Sequence, residues 1–343
     1  MRKVLSISWV LLVALIPFLA AGAMPPQQEA ANPANAAPSP GNAANPPKDL
    51  AWAFPVPDKV LPAAGDEAAP KHLPGSSQAF TPAQIDDLLN PPDWFPADHP
   101  PAPKVIQHGQ GSALACGSCH LMSGLGHPES ANLTGFSAEY IDQQMEDFRT
   151  GARKDAARMN AIAAALSDSE SKQAGEWFAM LKPAPYFKVM EADTVPKTYV
   201  NRGRMRLPSP DGGTEPLGDR IVELPQDPVR TENRDPHSGF IAYAPVGSLA
   251  KGEKLVMAGG AGKTIGCDNC HGPDLKGDRY IPSIAGRSPG YMARQLYGFQ
   301  HFTRNGPGAG LMQPVVKDLT PEDILDIAAY LASVPPERAK AAK

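Results

Sequence analysis

The sequence predicts a mainly α-helical protein: two copies of one helical domain in tandem, an irregular Pro-rich leader before them, and a partly β insertion between them. Three observations carry this. The run Cys116-Gly117-Ser118-Cys119-His120 recurs 151 positions on (116 to 267) as Cys267-Asp268-Asn269-Cys270-His271. The same offset aligns Val105 with Val256, Gly111 with Gly262, Gly135 with Gly286, Tyr140 with Tyr291, Gln144 with Gln295 and Phe148 with Phe299. Between these anchors the apolar residues, such as Tyr140, Ile141, Met145 and Phe148, recur at helical spacing.

The chain begins with an export pattern. Arg2 and Lys3 precede an apolar run from Val4 to Ala20, and Ala21-Gly22-Ala23 fits small-x-small cleavage, giving a signal peptide over 1–23. The uncharged stretch is also long enough to remain as a membrane anchor. Either outcome places the rest outside the cytoplasm, and in a bacterium this means the periplasm. Residues 24–73 are rich in Ala, Pro and Asn and read as a disordered leader, since they offer little apolar surface against the entropy of ordering. Residues 74–104 hold Phe80, Leu88, Leu89, Trp94 and Phe95 among prolines and read as an ordered arm on the first domain.

The two domains are expected over 105–183 and 251–336, with a short tail at 337–343. Each should contain a short helix leading into the Cys-x-x-Cys-His turn and a Gly/Pro loop. A middle helix should follow, over 138–150 or 289–302. A methionine-bearing loop and a last helix complete each copy. The last helices open on capping patterns, Ser167-x-x-Glu170 and Thr320-x-x-Asp323, with Pro321 at a first-turn position. The alignment offset grows to 153 late in the repeat, pairing Met159 with Met312, Leu166 with Leu319, Trp177 with Tyr330 and Pro183 with Pro336. Residues 184–250 are too long for a plain linker. Their flanks, 197–207 and 220–224, surround a turn-rich stretch that begins Pro208-Ser209-Pro210-Asp211-Gly212-Gly213, which predicts a β-hairpin packed on the domains.

Cys-x-x-Cys-His is the attachment signature of c-type haem. Two thiols two residues apart match the two vinyl attachment points, and the adjoining histidine is held beneath the iron. Cys116 and Cys119, with His120 as iron ligand, would carry one haem c. Cys267 and Cys270, with His271, would carry a second. Redox dithiols or half zinc sites are the alternatives, but neither needs the adjoining histidine. The chain has four cysteines and these motifs use all of them, leaving none for a structural disulfide. The sixth ligand to each iron is expected to be Met159 or Met312, which occupy aligned positions. Met292 and Met145 lie on the middle helices, Met122 is too near its histidine, and Met180 lies in a last helix. Tyr140, Tyr291, Gln144 and Gln295 either line the cofactors or pack helix cores. Arg149, Arg153 and Arg304 either neutralise propionates or are solvated.

On these residues each half resembles a class I cytochrome c domain, and the whole resembles the two-domain, two-haem cytochromes c of bacterial electron transport. The resemblance covers 105–183 and 251–336. It implies an all-α fold around each haem with crossed first and last helices, and redox proteins as partners: a dehydrogenase, a quinol-oxidising complex or an oxidase. The leader and the insertion depart from the compact family pattern. Net charge is −4 at pH 7, so no basic field points to nucleic acid. Two fully ligated irons would leave no open position for a substrate, so an electron carrier is expected rather than an enzyme. The competing readings are a cytochrome subunit of a larger dehydrogenase and a two-haem enzyme such as a peroxidase.

Overall fold

The computed structural model describes residues 48–59, 69–155 and 157–337. The signal segment, most of the leader and all but Glu337 of the tail lie outside them.

Short pieces built on prolines come first. β1 (Lys71–His72) pairs antiparallel with β2 (Ala79–Phe80), and α1 (Pro82–Ile85) is closed by a Thr81/Gln84 capping box. The first helical group is α2 (Lys104–Gln107), α3 (Gly117–His120), α4 (Ala138–Thr150), α5 (Met159–Ala165) and α6 (Asp168–Met180). Pro100, Pro101 and Pro103 precede α2, which is a single turn. Ser137 caps α4 by accepting from Tyr140 N, and Gly151 ends it in the left-handed region at φ +76°. Ser167 and Glu170 form a full capping box on α6. This group closes around Ile106, Phe136, Tyr140, Ile141, Ile162, Trp177 and Phe178.

Beyond α7 (Pro228–Glu232), the second helical group is α8 (Ser248–Ala258), α9 (Asp268–His271), α10 (Pro289–Gln300), α11 (Ala309–Val316) and α12 (Pro321–Ser333). Thr320 and Asp323 box α12, with Pro321 at its first position. α8 crosses α12 at Gly252, where a Cβ would collide with the Asp326 carbonyl and press on Tyr330 Cβ. The crossing therefore requires glycine. Val256, Leu275, Tyr291, Leu296, Ile324 and Ile327 form this core.

The intervening segment forms real sheet. β3 (Phe187–Glu191) lies parallel to β9 (Phe240–Ala244), and β8 (Val222–Pro225) lies antiparallel to β9 on its other side. β4 (Thr194–Pro196) pairs with β7 (Thr214–Pro216), and β5 (Thr198–Val200) with β6 (Arg206–Pro208). α7 (Pro228–Glu232) connects β8 to β9. The hairpin differs from the sequence expectation. Residues 197–207 do not pair with 220–224. They fold on themselves around a tip at 201–205, and the Ser209–Gly213 stretch is an excursion between the two halves of one hairpin ladder. β8 pairs with β9 instead, because Val222 and Leu224 are needed in a separate apolar cluster with Val195 and Leu217.

Two further expectations need correction. The leader is not disordered throughout: Lys48–Ala53 forms a 3-10 helix whose Leu50 and Ala53 are about 1% exposed in the second core. Phe54 meets Tyr297 edge-on at 5.5 Å, and Arg294 donates to the Ala53 carbonyl at 2.8 Å. The run Leu50-Ala51-Trp52-Ala53-Phe54 is dense enough in apolar surface to dock, although its surroundings are not. The methionines are not on loops either. Met159 opens α5, and Met312 lies within α11.

Candidate haem sites

The two cysteine motifs fold alike. Cys116 and Cys267 each precede a one-turn helix, and His120 and His271 each bond back to that cysteine's carbonyl through their own N–H, at 3.0 and 2.8 Å. The turn sets both cysteines and the histidine on one short arc. None of the four cysteines is in a disulfide. Burial pushes the Cys116 and Cys267 thiols up to about 12, whereas a redox-active dithiol needs a lowered thiol pKa.

The imidazoles are oriented identically. His120 Nδ1 lies 2.7 Å from the Ala131 carbonyl, and His271 Nδ1 lies 2.7 Å from the Pro282 carbonyl. Each acceptor is eleven residues after its histidine. A carbonyl accepts only, so Nδ1 carries the proton and Nε2 keeps the lone pair that a metal takes. Burial lowers the pKa of both rings and keeps them neutral, as a ligand must be. Nothing in the sequence flagged these carbonyls, although the repeat places them at aligned positions.

Met159 packs against the first core and Met312 against the second, each half-buried. The residues present fit haem: a thiol pair, a neutral imidazole presenting Nε2, and an apolar cluster bearing a thioether, all at aligned positions.

Between the two groups lies a polar junction built twice from the same residues. Arg153 and Arg304, aligned at offset 151, form an antiparallel bridge. Lys154 N donates to Thr303 O and Asn305 N to Ala152 O, both at 2.7 Å, and each bond maps onto the other when the copies are exchanged. Arg153 donates to Gln144 Oε1 at 2.8 Å and Gln295 Oε1 at 2.7 Å. Arg304 donates to Gln295 Oε1 at 3.2 Å, Gln144 Oε1 at 2.9 Å and the Tyr140 hydroxyl at 2.6 Å. Arg153 lies over the Phe148 ring and Arg304 over the aligned Phe299 ring, at 4.5 and 4.4 Å. Burial and the neighbouring Arg153 lower the pKa of Arg304. Burial alone would raise the Tyr291 phenol, but Arg153 and Arg304 outweigh it and hold it below its usual value. Neither guanidinium is ion-paired to a carboxylate among the described residues, so the pair suits an anionic group such as a propionate. Arg149 lies elsewhere, bridged to Glu146 at 2.5 Å and Asp168 at 3.0 Å.

Arg287 ties the halves together a second time. It is 2% exposed and donates to Asn132 O at 2.7 Å, Thr134 O at 2.9 Å and Ser283 O at 3.2 Å, with its guanidinium 4.0 Å from the Phe136 ring centre. Asn132 and Ser283 directly follow the two carbonyls that grip the imidazoles.

The surroundings of the motifs differ. The arm and the insertion cover the first one. Ala115 N donates to Leu88 O, Arg234 donates to Ser118 O, and the Trp94 indole bonds Asn233 O at 2.7 Å. Leu125 is buried with Tyr186, Leu207 and Phe240. A cavity of about 440 Å³ opens within this cover, between Trp94, Leu121, Met180 and His237, and no cysteine lines it.

Comparison with known proteins finds relatives for the chain. The cytochrome c family model matches residues 249–335. Cytochrome c-554(548) of Halomonas halodenitrificans is 39% identical over 77 residues, 22% of this chain and 93% of that protein. The thiosulfate dehydrogenase electron acceptor of Thiomonas intermedia is 25% identical over 235 residues, covering 67% of this chain and 83% of that protein. Cytochrome c4 of Pseudomonas aeruginosa is 23% identical over 228 residues, covering 65% and 85%. With paired motifs, aligned imidazole supports and these relatives together, the chain belongs to the two-haem class I cytochromes c and carries covalently bound haem c.

Proposed function

We propose that this electron-transfer cytochrome works in the periplasm, taking single electrons from a dehydrogenase or quinol-oxidising donor and passing them to a terminal acceptor. In this reading Cys116 and Cys119, with His120 and Met159, hold one haem in a domain over 105–183. Cys267 and Cys270, with His271 and Met312, hold the other in a domain over 251–336. The observation that carries it is the matched imidazole support, Nδ1 to a carbonyl eleven residues on, in two copies that each carry an aligned methionine. Haem supplies a one-electron couple, and thioether ligation raises its potential relative to a second imidazole.

The chain's own residues do the rest. The two carbonyls fix ring tautomer and direction, the apolar clusters exclude water, and the arginine junction fixes the spacing of the halves. A donor of the dehydrogenase class is favoured by the relative named as an electron acceptor of thiosulfate dehydrogenase. That name also supports a second reading, a cytochrome subunit resident in a dehydrogenase complex, which co-purification would reveal. Among the described residues no helix is long and apolar enough to cross a membrane.

A redox titration with ligation-sensitive spectra tests the proposal. Two covalent haems per chain, both six-coordinate and slow to bind carbon monoxide, are expected. One haem binding carbon monoxide rapidly would favour an enzyme instead.

A further inference from the structure

We propose that the chain meets its redox partner at the second motif alone, through an acidic face that fits a partner whose haem or cofactor edge is rimmed by basic residues. The proposal rests on the electron-carrier reading and assigns that carrier's docking surface.

The argument begins with aligned positions in different surroundings. Ser118 is 1% exposed, but its counterpart Asn269 is exposed. Cys119 is half-buried and Cys270 exposed; Met122 is buried and Pro273 exposed; His127 is buried and Asp278 exposed. The first motif is roofed by Leu88 and Trp94 of the arm and by Arg234 and Phe240 of the insertion. No described segment crosses the second. Electron tunnelling decays steeply with distance, so a partner held off by that roof would transfer slowly at the first motif, whereas at Cys270 it can make direct contact.

The open face has a defined character. Between Gly266 and Ile281 it carries the exposed Asp274 and Asp278 and the half-buried Asp268, whose Oδ1 is buried without a hydrogen-bond partner; none of the three is ion-paired among the described residues. The cations beside them are engaged: Arg279 with Glu139 at 2.6 Å, Lys263 with Asp323 at 2.5 Å, and Lys276 at the Glu337 carbonyl. Only Lys276 among these keeps its charge unmatched by a carboxylate, so among the described residues the face is net acidic. Ile265 and Leu311 are 47% and 74% exposed. The Thr264 hydroxyl donates to Val315 O at 2.6 Å, which joins the segment carrying Ile265 to the helix carrying Leu311. Exposed apolar side chains on segments that adjoin unpaired carboxylates are what a basic-rimmed redox protein complements. The charges steer approach, and the small area of the apolar contact keeps the complex short-lived.

The test uses the haem-loaded protein and, as probe, a small monohaem cytochrome c whose haem edge is ringed by lysines. Binding is measured by calorimetry at low and moderate salt, and carboxylate shielding by carbodiimide labelling with mass spectrometry. The combined Asp268→Asn, Asp274→Asn and Asp278→Asn variant should bind about tenfold more weakly at low salt, with a flatter salt dependence. The Asp93→Asn, Asp98→Asn pair on the roofed side should bind as the parent does. The probe should shield Asp274 and Asp278. No binding by the parent at low salt, equal weakening by the roof variants, or shielding by a second copy of this chain would each overturn the proposal. Covalent haem is counted by mass in every sample. Fewer than two per chain would overturn the carrier reading itself, whatever the binding result.

Discussion

Replacing Arg287 by alanine should disturb the first haem site more than the second, although Arg287 belongs to the second helical group. Its guanidinium makes two bonds to the first group, at 2.7 and 2.9 Å, and a longer one of 3.2 Å to Ser283 O. The shortest ends on Asn132, next to the Ala131 carbonyl that holds His120. Three charge-assisted bonds at about 2 kcal/mol each favour the native state. Against them stands burial, which lowers the Arg287 pKa well below its ordinary value, to about 10, equivalent to about 3 kcal/mol. The net loss on truncation is about 3 kcal/mol. Denaturant unfolding of the haem-loaded protein measures it. Paramagnetic NMR signals of the axial ligands, assigned with Met159→Ala and Met312→Ala, locate it. Lysine at 287 keeps the charge but not the planar fork, and should recover less than half of the loss. A stability change under about 0.5 kcal/mol, or shifts confined to the His271 and Met312 signals, would refute the reasoning.

Other outcomes follow from single groups. Burial pushes Glu223 up to about 7 from 4.5, while it accepts from Ser288 Oγ at 2.7 Å and Gly290 N at 3.0 Å. The folded state therefore holds this proton more tightly than the unfolded state, and the native protein loses stability as pH rises from 4.5 through about 7. Glu223→Gln should be near neutral at pH 4 and stabilising by about 3 kcal/mol at pH 8 in parallel melts; a destabilised variant at pH 8 would contradict this. Met159→Ala and Met312→Ala should each open one iron to carbon monoxide, lower its potential and leave the other unchanged, as read by stopped-flow and redox titration. Gly252→Ala forces a Cβ onto the Asp326 carbonyl at the α8–α12 crossing, and should lower stability by about 3 kcal/mol by denaturant titration.

Much of the site was legible because its chemistry is local. The motif, the two capping boxes and the helix over 138–150 depend on residues within one or two turns of each other, and composition shows them directly. The imidazole supports were not visible, since a backbone carbonyl has no signature of its own. Tyr140, Gln144 and Arg153 were visible as residues but not as a junction, because the bonds that make the junction cross to the other copy. The hairpin was misread because a turn-rich stretch looks the same at a tip and in an excursion; only the register at Thr194↔Pro216 and Val200↔Arg206 separates them. The leader was misread because averaging over alanine and proline hid the five-residue apolar run at Leu50–Phe54.

The self-complementary bridge at Arg153 and Arg304 changes what is asked of the chain between the copies. The same side chains from both copies close the junction, so the covalent connection is not alone in holding the copies in register. Residues 184–250 pack on both copies, burying Ile221, Ala242 and Ala244 in the second core, yet of the two cysteine motifs it is the first that they cover. A duplicated molecule with matched centres thereby acquires a direction, a closed end and an open end, without altering either centre.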